Sequence, residues 1–255
     1  LFKIKTILVV HSNLPWLFPN DMPGNKAKLF IQKFIMNYSI NFADRIIVDS
    51  RTAKNELYNI FSKISNKIET IYLGAEGLLQ KLQYKETIFI DNLDITNEEY
   101  FLTISSAVPY HCLIELIIAY NKICENKNAI PKYLIISKKL DSNYFNKLKN
   151  IIKNSKFSEK IILIEDLESK FLPEIYKNSN LYIFSSYCEV FGLTNLEAMN
   201  YGVPVVTSNR SSLPEICGEA AIYSNPEDPE DIKNKVSELY FDKKLKDKMI
   251  ENGYN

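Results

Sequence analysis

Glycine is scarce in this chain, at only 7 of 255 residues. No G-x-G-x-x-G turn follows an early strand, which argues against a nicotinamide-dinucleotide fingerprint. Net charge is absent too. The 31 basic and 31 acidic residues cancel, so charge gives no sign of a nucleic-acid partner or an acidic substrate. No apolar run approaches the ~18–20 residues that span a bilayer. The opening KIKTILVV runs into polar HSN and prolines, without the small-residue cleavage site of a signal peptide. Four cysteines, Cys112, Cys124, Cys188 and Cys217, lack metal-like spacing and fit reduced thiols in a cytosolic protein. No histidine stands near Cys188 in sequence, so a catalytic thiol is not indicated. The chain has only two histidines, His11 and His111, and one tryptophan, Trp16. Its first residue is Leu, not Met, which raises the expectation of an excised or incomplete piece.

What is present is an alternation of apolar runs and helical patterns. Strands are expected at 3–10, 45–48 and 68–73. A helix is expected over 26–42, where Phe30, Ile31, Phe34, Ile35 and Tyr38 recur at helical spacing, and a second one starts behind the N-cap Ser50. Periodicity fades from Gly74 to Glu99. Strands then come at 100–105, 132–137, 160–165, 181–185, 203–207 and 220–223, with helices at 111–125, 142–153, 169–178 and 193–201. A last helix, 229–239, has Asp228 as cap and Pro229 at its first position. The organisation is thus a segment 1–75, a linker 76–99 and a segment 100–255. The last should form a doubly wound parallel sheet with ligands at the strand C-terminal ends. Three strands before the linker make only a partial open sheet, with exposed edges and an uncovered apolar face.

The chemistry concentrates between Leu181 and Gly202, LYIFSSYCEVFGLTNLEAMNYG. A strand and a polar turn lead into a short helix, which Gly202 and Pro204 stop. Glu189 lies in the loop and Glu197 about one turn inside the helix. Between them the backbone amides of Phe191, Gly192, Leu193 and Thr194 gather at a helix N-terminus, which attracts phosphate. Carboxylates on either side of a phosphate cradle suit a nucleotide sugar, one contacting the sugar and the other a ribose diol. By spacing alone they equally fit solvated carboxylates around a packing helix.

Glu189-x-Phe-Gly-Leu-x-x-Leu-Glu197-Ala-Met, followed by Gly202-Val-Pro-Val-Val, resembles the Glu-x7-Glu motif of retaining GT-B glycosyltransferases of family four (glycosyl transferases group 1). The stretch SNRSSLPEICGEAA, Ser208 to Ala221, is similar to the next segment of that family. The resemblance implies an α/β fold of GT-B type, with a complete C-terminal Rossmann-like domain that binds the nucleotide sugar. FADRIIVDSRTAKNEL and IETIYLGAE resemble the end of the N-terminal, acceptor-side domain, whose first half is then lacking. It also implies that Glu197 holds ribose hydroxyls, Glu189 contacts the sugar and the amides from Phe191 to Thr194 bind phosphate. His11 matches a strand-end histidine that reaches toward the donor sugar. Asp166-Leu167 match the point where backbone holds the nucleobase.

One departure stands out. Where the family has an Arg and a Lys clamping the diphosphate, this chain has Ser106 and His111. A lost charged donor at a buried anion costs about 1.5–3 kcal/mol. His111 as phosphate ligand, or Lys138 and Lys139, could offset part of that, although a solvated lysine pair is the plainer reading. Arg210 reads as a loop-fixing side chain, and Trp16 as packing before a sugar platform. No Asp-x-Asp pair ends a strand of the donor domain, so no metal is expected, and no cofactor beyond the nucleotide diphosphate sugar as co-substrate. The implied activity is a retaining, metal-independent hexosyl transfer to a glycan or lipid-linked glycan hydroxyl, in polysaccharide or cell-envelope glycan synthesis. It implies a cytoplasmic protein at the inner membrane face, with peripheral membrane contact through the lacking N-terminal part. The rival is a non-catalytic, nucleotide-sugar-binding or regulatory protein of the same fold, which Ser106 and His111 favour and the intact glutamates oppose.

Overall fold

The computed structural model describes residues 4–22, 24–74, 89–90, 93–127 and 129–254. The start of the first expected strand and most of the expected linker lie outside these residues. The chain opens with β1 (Ile7–Val10), α1 (Leu14–Leu17), α2 (Lys26–Phe42), β2 (Arg45–Val48), α3 (Arg51–Ile60) and β3 (Ile68–Thr70). The three strands pair in parallel in the order β1-β2-β3. Ile46 and Val48 of β2 pack with Ile40, Leu57 and Ile68 in a small core of their own. Ser50 caps α3 as expected, its Oγ accepting from the Ala53 amide at 3.0 Å. The helix over 26–42 also forms, but its apolar stripe faces outward: Phe30 is 71% exposed and Phe34 64%. Only Ile40 of that helix is buried.

A short antiparallel pair, β4 (Phe89–Ile90) and β5 (Leu93–Asp94), precedes the second sheet. That sheet comprises β6 (Tyr100–Ser106), β7 (Lys132–Lys138), β8 (Ile161–Glu165), β9 (Leu181–Ile183), β10 (Val205–Ser208) and β11 (Ala221–Ser224). Its order, β11-β10-β9-β6-β7-β8, is parallel throughout. Helices α4 (Leu113–Asn126), α5 (Ser142–Lys153), α6 (Leu172–Asn178), α7 (Leu193–Asn200), α8 (Leu213–Cys217), α9 (Pro229–Phe241) and α10 (Lys243–Gly253) complete it. Alternate side chains serve opposite faces, as a doubly covered sheet requires. Phe101, Tyr133 and Ile135 enter one core, while Tyr100, Leu102, Leu134 and Ile136 enter the other. The strand order reverses at β6, whose neighbours are β9 and β7. Such a switch point leaves a crevice beyond the strand C-termini.

Several boundaries differ from expectation for local reasons. The helix expected from residue 111 starts at Leu113, because Cys112 adopts φ 46° and ends a one-turn 3-10 segment, Pro109–His111. The helix expected over 169–178 begins as a 3-10 turn, Ser169–Phe171, and turns α-helical only where Pro173 occupies the first turn. The strand expected to reach residue 73 ends at Thr70. Helix α10, unforeseen in the sequence, packs Met249 into the larger core.

Candidate active site

A cleft of about 640 Å³ lies between the C-terminal ends of the two sheets. Among the residues singled out from the sequence, His11, Ser106, His111, Leu167, Glu189, Phe191, Gly192, Leu193 and Thr194 line it. Chain segments distant in sequence meet here because each follows a strand on the same edge of a parallel sheet.

The loops after β6 and β9 are tied together. Ser186 Oγ and the Tyr187 amide both donate to Tyr110 O at 3.0 Å. The one-turn segment before Cys112 then turns His111 toward the second loop. Its Nε2 donates to Glu189 Oε1 at 3.0 Å, while Nδ1 lies 2.8 Å from both Ser105 Oγ and Ser106 O. Only 11% of the His111 side chain and 21% of the Glu189 side chain remain exposed. Glu189 is held from behind as well, since its carbonyl accepts from Ser211 Oγ at 2.6 Å and Ser212 Oγ at 2.8 Å. These serines fix the loop in the way expected of Arg210, which is exposed.

Gly192 opens α7 at φ +91°, a left-handed conformation. A Cβ placed there would lie 2.5 Å from Leu213 Cδ2. Gly192→Ala should therefore lose about 1–2 kcal/mol to backbone strain alone, and more from displacing Leu213. Thermal unfolding, together with a nucleotide titration, checks this: a variant as stable as wild type with unchanged binding would remove any need for glycine. The turn brings Leu193 and Thr194, whose first-turn amides have no partner within the helix, to the cleft.

Glu197 is not among the lining residues. It is half-buried one turn into α7, and Tyr176 Oη donates to its Oε2 at 2.7 Å. Burial pushes its carboxyl above the usual glutamate value, and the Tyr176 bond opposes that shift. Tyr176 is itself fixed by stacking on Tyr201, with ring centroids 5.7 Å apart.

The opposite wall shows a residue that sequence reasoning missed. His11 Nδ1 lies 2.7 Å from Oδ2 of Asp49, whose side chain is 4% exposed against 64% for His11. The other carboxylate oxygen, Oδ1, is buried and has no partner among the described residues. A signal was available: Val10 and Val48 are registered partners, so the next residue of each strand emerges at the same sheet edge. The cleft also receives Ser137, Lys138 and Asp166. Lys139 is exposed, its Nζ 5.9 Å from the centroid of the Phe145 ring. Trp16 packs edge-on against Phe61, centroids 5.1 Å apart. Among the described residues no group of three His, Cys, Asp or Glu side chains could hold a metal ion, and no helix is long and apolar enough to cross a membrane.

Comparison with known proteins places this geometry. The chain is 23% identical over 243 residues to the O-antigen chain mannosyltransferase RfbU of Salmonella typhimurium, covering 94% of this chain and 62% of that protein. Over 57 residues, 22% of this chain and 15% of the other, it is 47% identical to an O-antigen chain mannosyltransferase B of Escherichia coli. Among solved structures, Anabaena Alr3699/HepE in complex with UDP and glucose superposes with a TM-score of 0.75 at 16% identity, covering 98% of this chain and 65% of that one. The chain thus spans somewhat under two thirds of RfbU. Residues 85–255 match the family of glycosyl transferases group 1. With a sheet, a switch-point cleft and structural neighbours of GT-B type, the chain belongs to that family.

Proposed function

We propose that the protein binds a nucleotide diphosphate sugar in the cleft and transfers its hexosyl group, with retention, to a hydroxyl of a glycan or lipid-linked glycan. The observation that carries this reading is the meeting of Glu189, His111 and the amide-rich start of α7 on one wall with His11 and Asp49 on the other. Leu193 and Thr194 amides, Ser106 and Lys138 supply donors for the diphosphate, whose developing charge needs preorganised partners. Glu189 contacts the sugar, His11 faces it, Leu167 lies beside the base and Glu197 receives the ribose hydroxyls. The scheme requires no metal, because backbone and side-chain donors take that role. Relatives named as O-antigen chain mannosyltransferases support a hexose donor and a polysaccharide as product. On this reading the protein works on the cytoplasmic side of the membrane.

A screen of UDP-, GDP- and ADP-sugars by thermal shift tests the first half. A bound donor at 100 times its Kd raises native stability by about 2.7 kcal/mol, and one nucleotide class should stand out. Transfer from that donor, with the product anomer read by NMR, tests the second half; an inverted anomer would refute retention. The rival reading, a non-catalytic donor-binding protein, draws on one feature: His111 Nε2 is directed at Glu189 instead of standing free for phosphate. Tight nucleotide binding without transfer or donor hydrolysis would establish it.

A further inference from the structure

The sequence motif around Glu189 continues into α8, whose Glu215 takes no part in the cleft. Its carboxylate instead crosses to the facing unit. Oε1 accepts from the Arg51 amide at 2.7 Å and from Tyr72 Oη at 2.6 Å. Oε2 accepts from the Thr52 amide at 2.8 Å and from Thr52 Oγ1 at 2.7 Å. Four donors from one unit thus converge on a single carboxylate of the other.

The two amides are the first two of α3. Its third, Ala53, is satisfied locally by Ser50, so Glu215 completes the N-terminal cap of a helix more than 160 positions away. A carboxylate at this end also meets the positive pole of the helix dipole. Burial would raise the Glu215 carboxyl, but the bonds from Tyr72, Thr52 and Arg51 outweigh it and hold the group below the usual glutamate range.

Both ends of this contact adjoin residues of the cleft. Upstream of Ser50 stands Asp49, which carries His11. On the other side, Ser211 and Ser212, directly before α8, hold the Glu189 carbonyl. Tyr72, the fourth donor, faces Phe191 of the cleft lining with centroids 6.3 Å apart. One carboxylate therefore joins the segment that presents Glu189 to the segment that presents His11.

We propose that Glu215 is a positioning residue for sugar transfer: by capping α3 across the cleft it fixes Asp49 and His11 opposite Glu189. The kinetic part of this proposal rests on the transferase reading above. Glu215 lies outside the cleft lining, so its effect should fall on the closed, reactive arrangement and not on nucleotide binding within the second sheet.

The test compares the full chain with Glu215→Ala and Glu215→Gln through amide exchange, calorimetry with the free nucleoside diphosphate, and transfer kinetics. In Glu215→Ala the Arg51 and Thr52 amides should exchange at least tenfold faster, kcat should fall tenfold or more, and nucleotide affinity should stay within about twofold. Glu215→Gln keeps one accepting oxygen and should recover part of the loss. Unchanged exchange at Arg51 and Thr52 would overturn the contact itself. A parallel fall of kcat, nucleotide affinity and melting temperature would overturn positioning in favour of a purely structural role. If the wild-type chain transfers no sugar with any donor, the transferase reading fails and the kinetic role with it, while the exchange data still decide whether Glu215 caps α3 in solution.

Discussion

Glu189→Gln is expected to lower the turnover number for sugar transfer by about 10²–10³-fold, with nucleoside diphosphate affinity held within about threefold. The asymmetry comes from where this side chain sits. Its carbonyl, not its carboxylate, anchors the loop, through Ser211 and Ser212, and glutamine leaves those bonds intact. The amide oxygen can still accept from His111 Nε2, as Oε1 does now. The negative charge disappears, in a position where little water remains to replace it. A charge-assisted bond in such a site is about twice as strong as a neutral one, and its loss weighs most where charge develops during reaction. Single-turnover transfer with saturating donor measures the effect without interference from product release. A folded Glu189→Gln chain with wild-type turnover would take the residue out of the reaction.

Some of this was readable from residue order and some was not. The second sheet was, since six apolar runs at regular spacing admit little besides a parallel, doubly covered arrangement. So was the start of α7, because Gly192 followed by a short helical pattern marks a helix entry. The outer stripe of α2 illustrates a limit. Phe30, Ile31, Phe34, Ile35 and Tyr38 have the period of a helix face, but a period names a face without naming what covers it, and among the described residues all five remain exposed. The start of α4 shows another. No residue type in PYHCL announces that Cys112 takes a left-handed conformation, yet that single dihedral decides that His111 meets Glu189. Asp49 and Glu215 escaped for a topological reason. Asp49 lies 38 positions from its partner, and Glu215 lies 143 to 164 positions from its three, and only strand register and the packing of the two sheets bring them within reach. Sequence pattern therefore located the glycine-opened start of α7, which is local, and missed the supports of both walls, which are not.

Glu197→Gln should move two measurements in opposite directions. Nucleoside diphosphate affinity should fall by roughly tenfold to a hundredfold, as expected for about 1–3 kcal/mol of lost charge-assisted bonding to the ribose hydroxyls. The unliganded fold, by contrast, should become more stable at neutral pH. Burial raises the Glu197 carboxyl in the native chain, so across the window between the ordinary glutamate value and the raised one the folded state holds its proton more tightly than the unfolded state does. Stability then declines as pH rises through that window, and the full cost of a partly desolvated charge is present above it. Glutamine has no proton to lose and escapes this decline, while its amide oxygen still accepts from Tyr176 Oη, the partner of the present carboxylate. The difference in melting temperature between variant and wild type should accordingly be small in acid and grow toward pH 7. Calorimetry with the free nucleotide supplies the other arm. Unchanged affinity in the folded variant would dismiss Glu197 as the ribose ligand. A variant that melts below wild type at pH 7 would show that the carboxylate stabilises the empty site, against the direction of its burial.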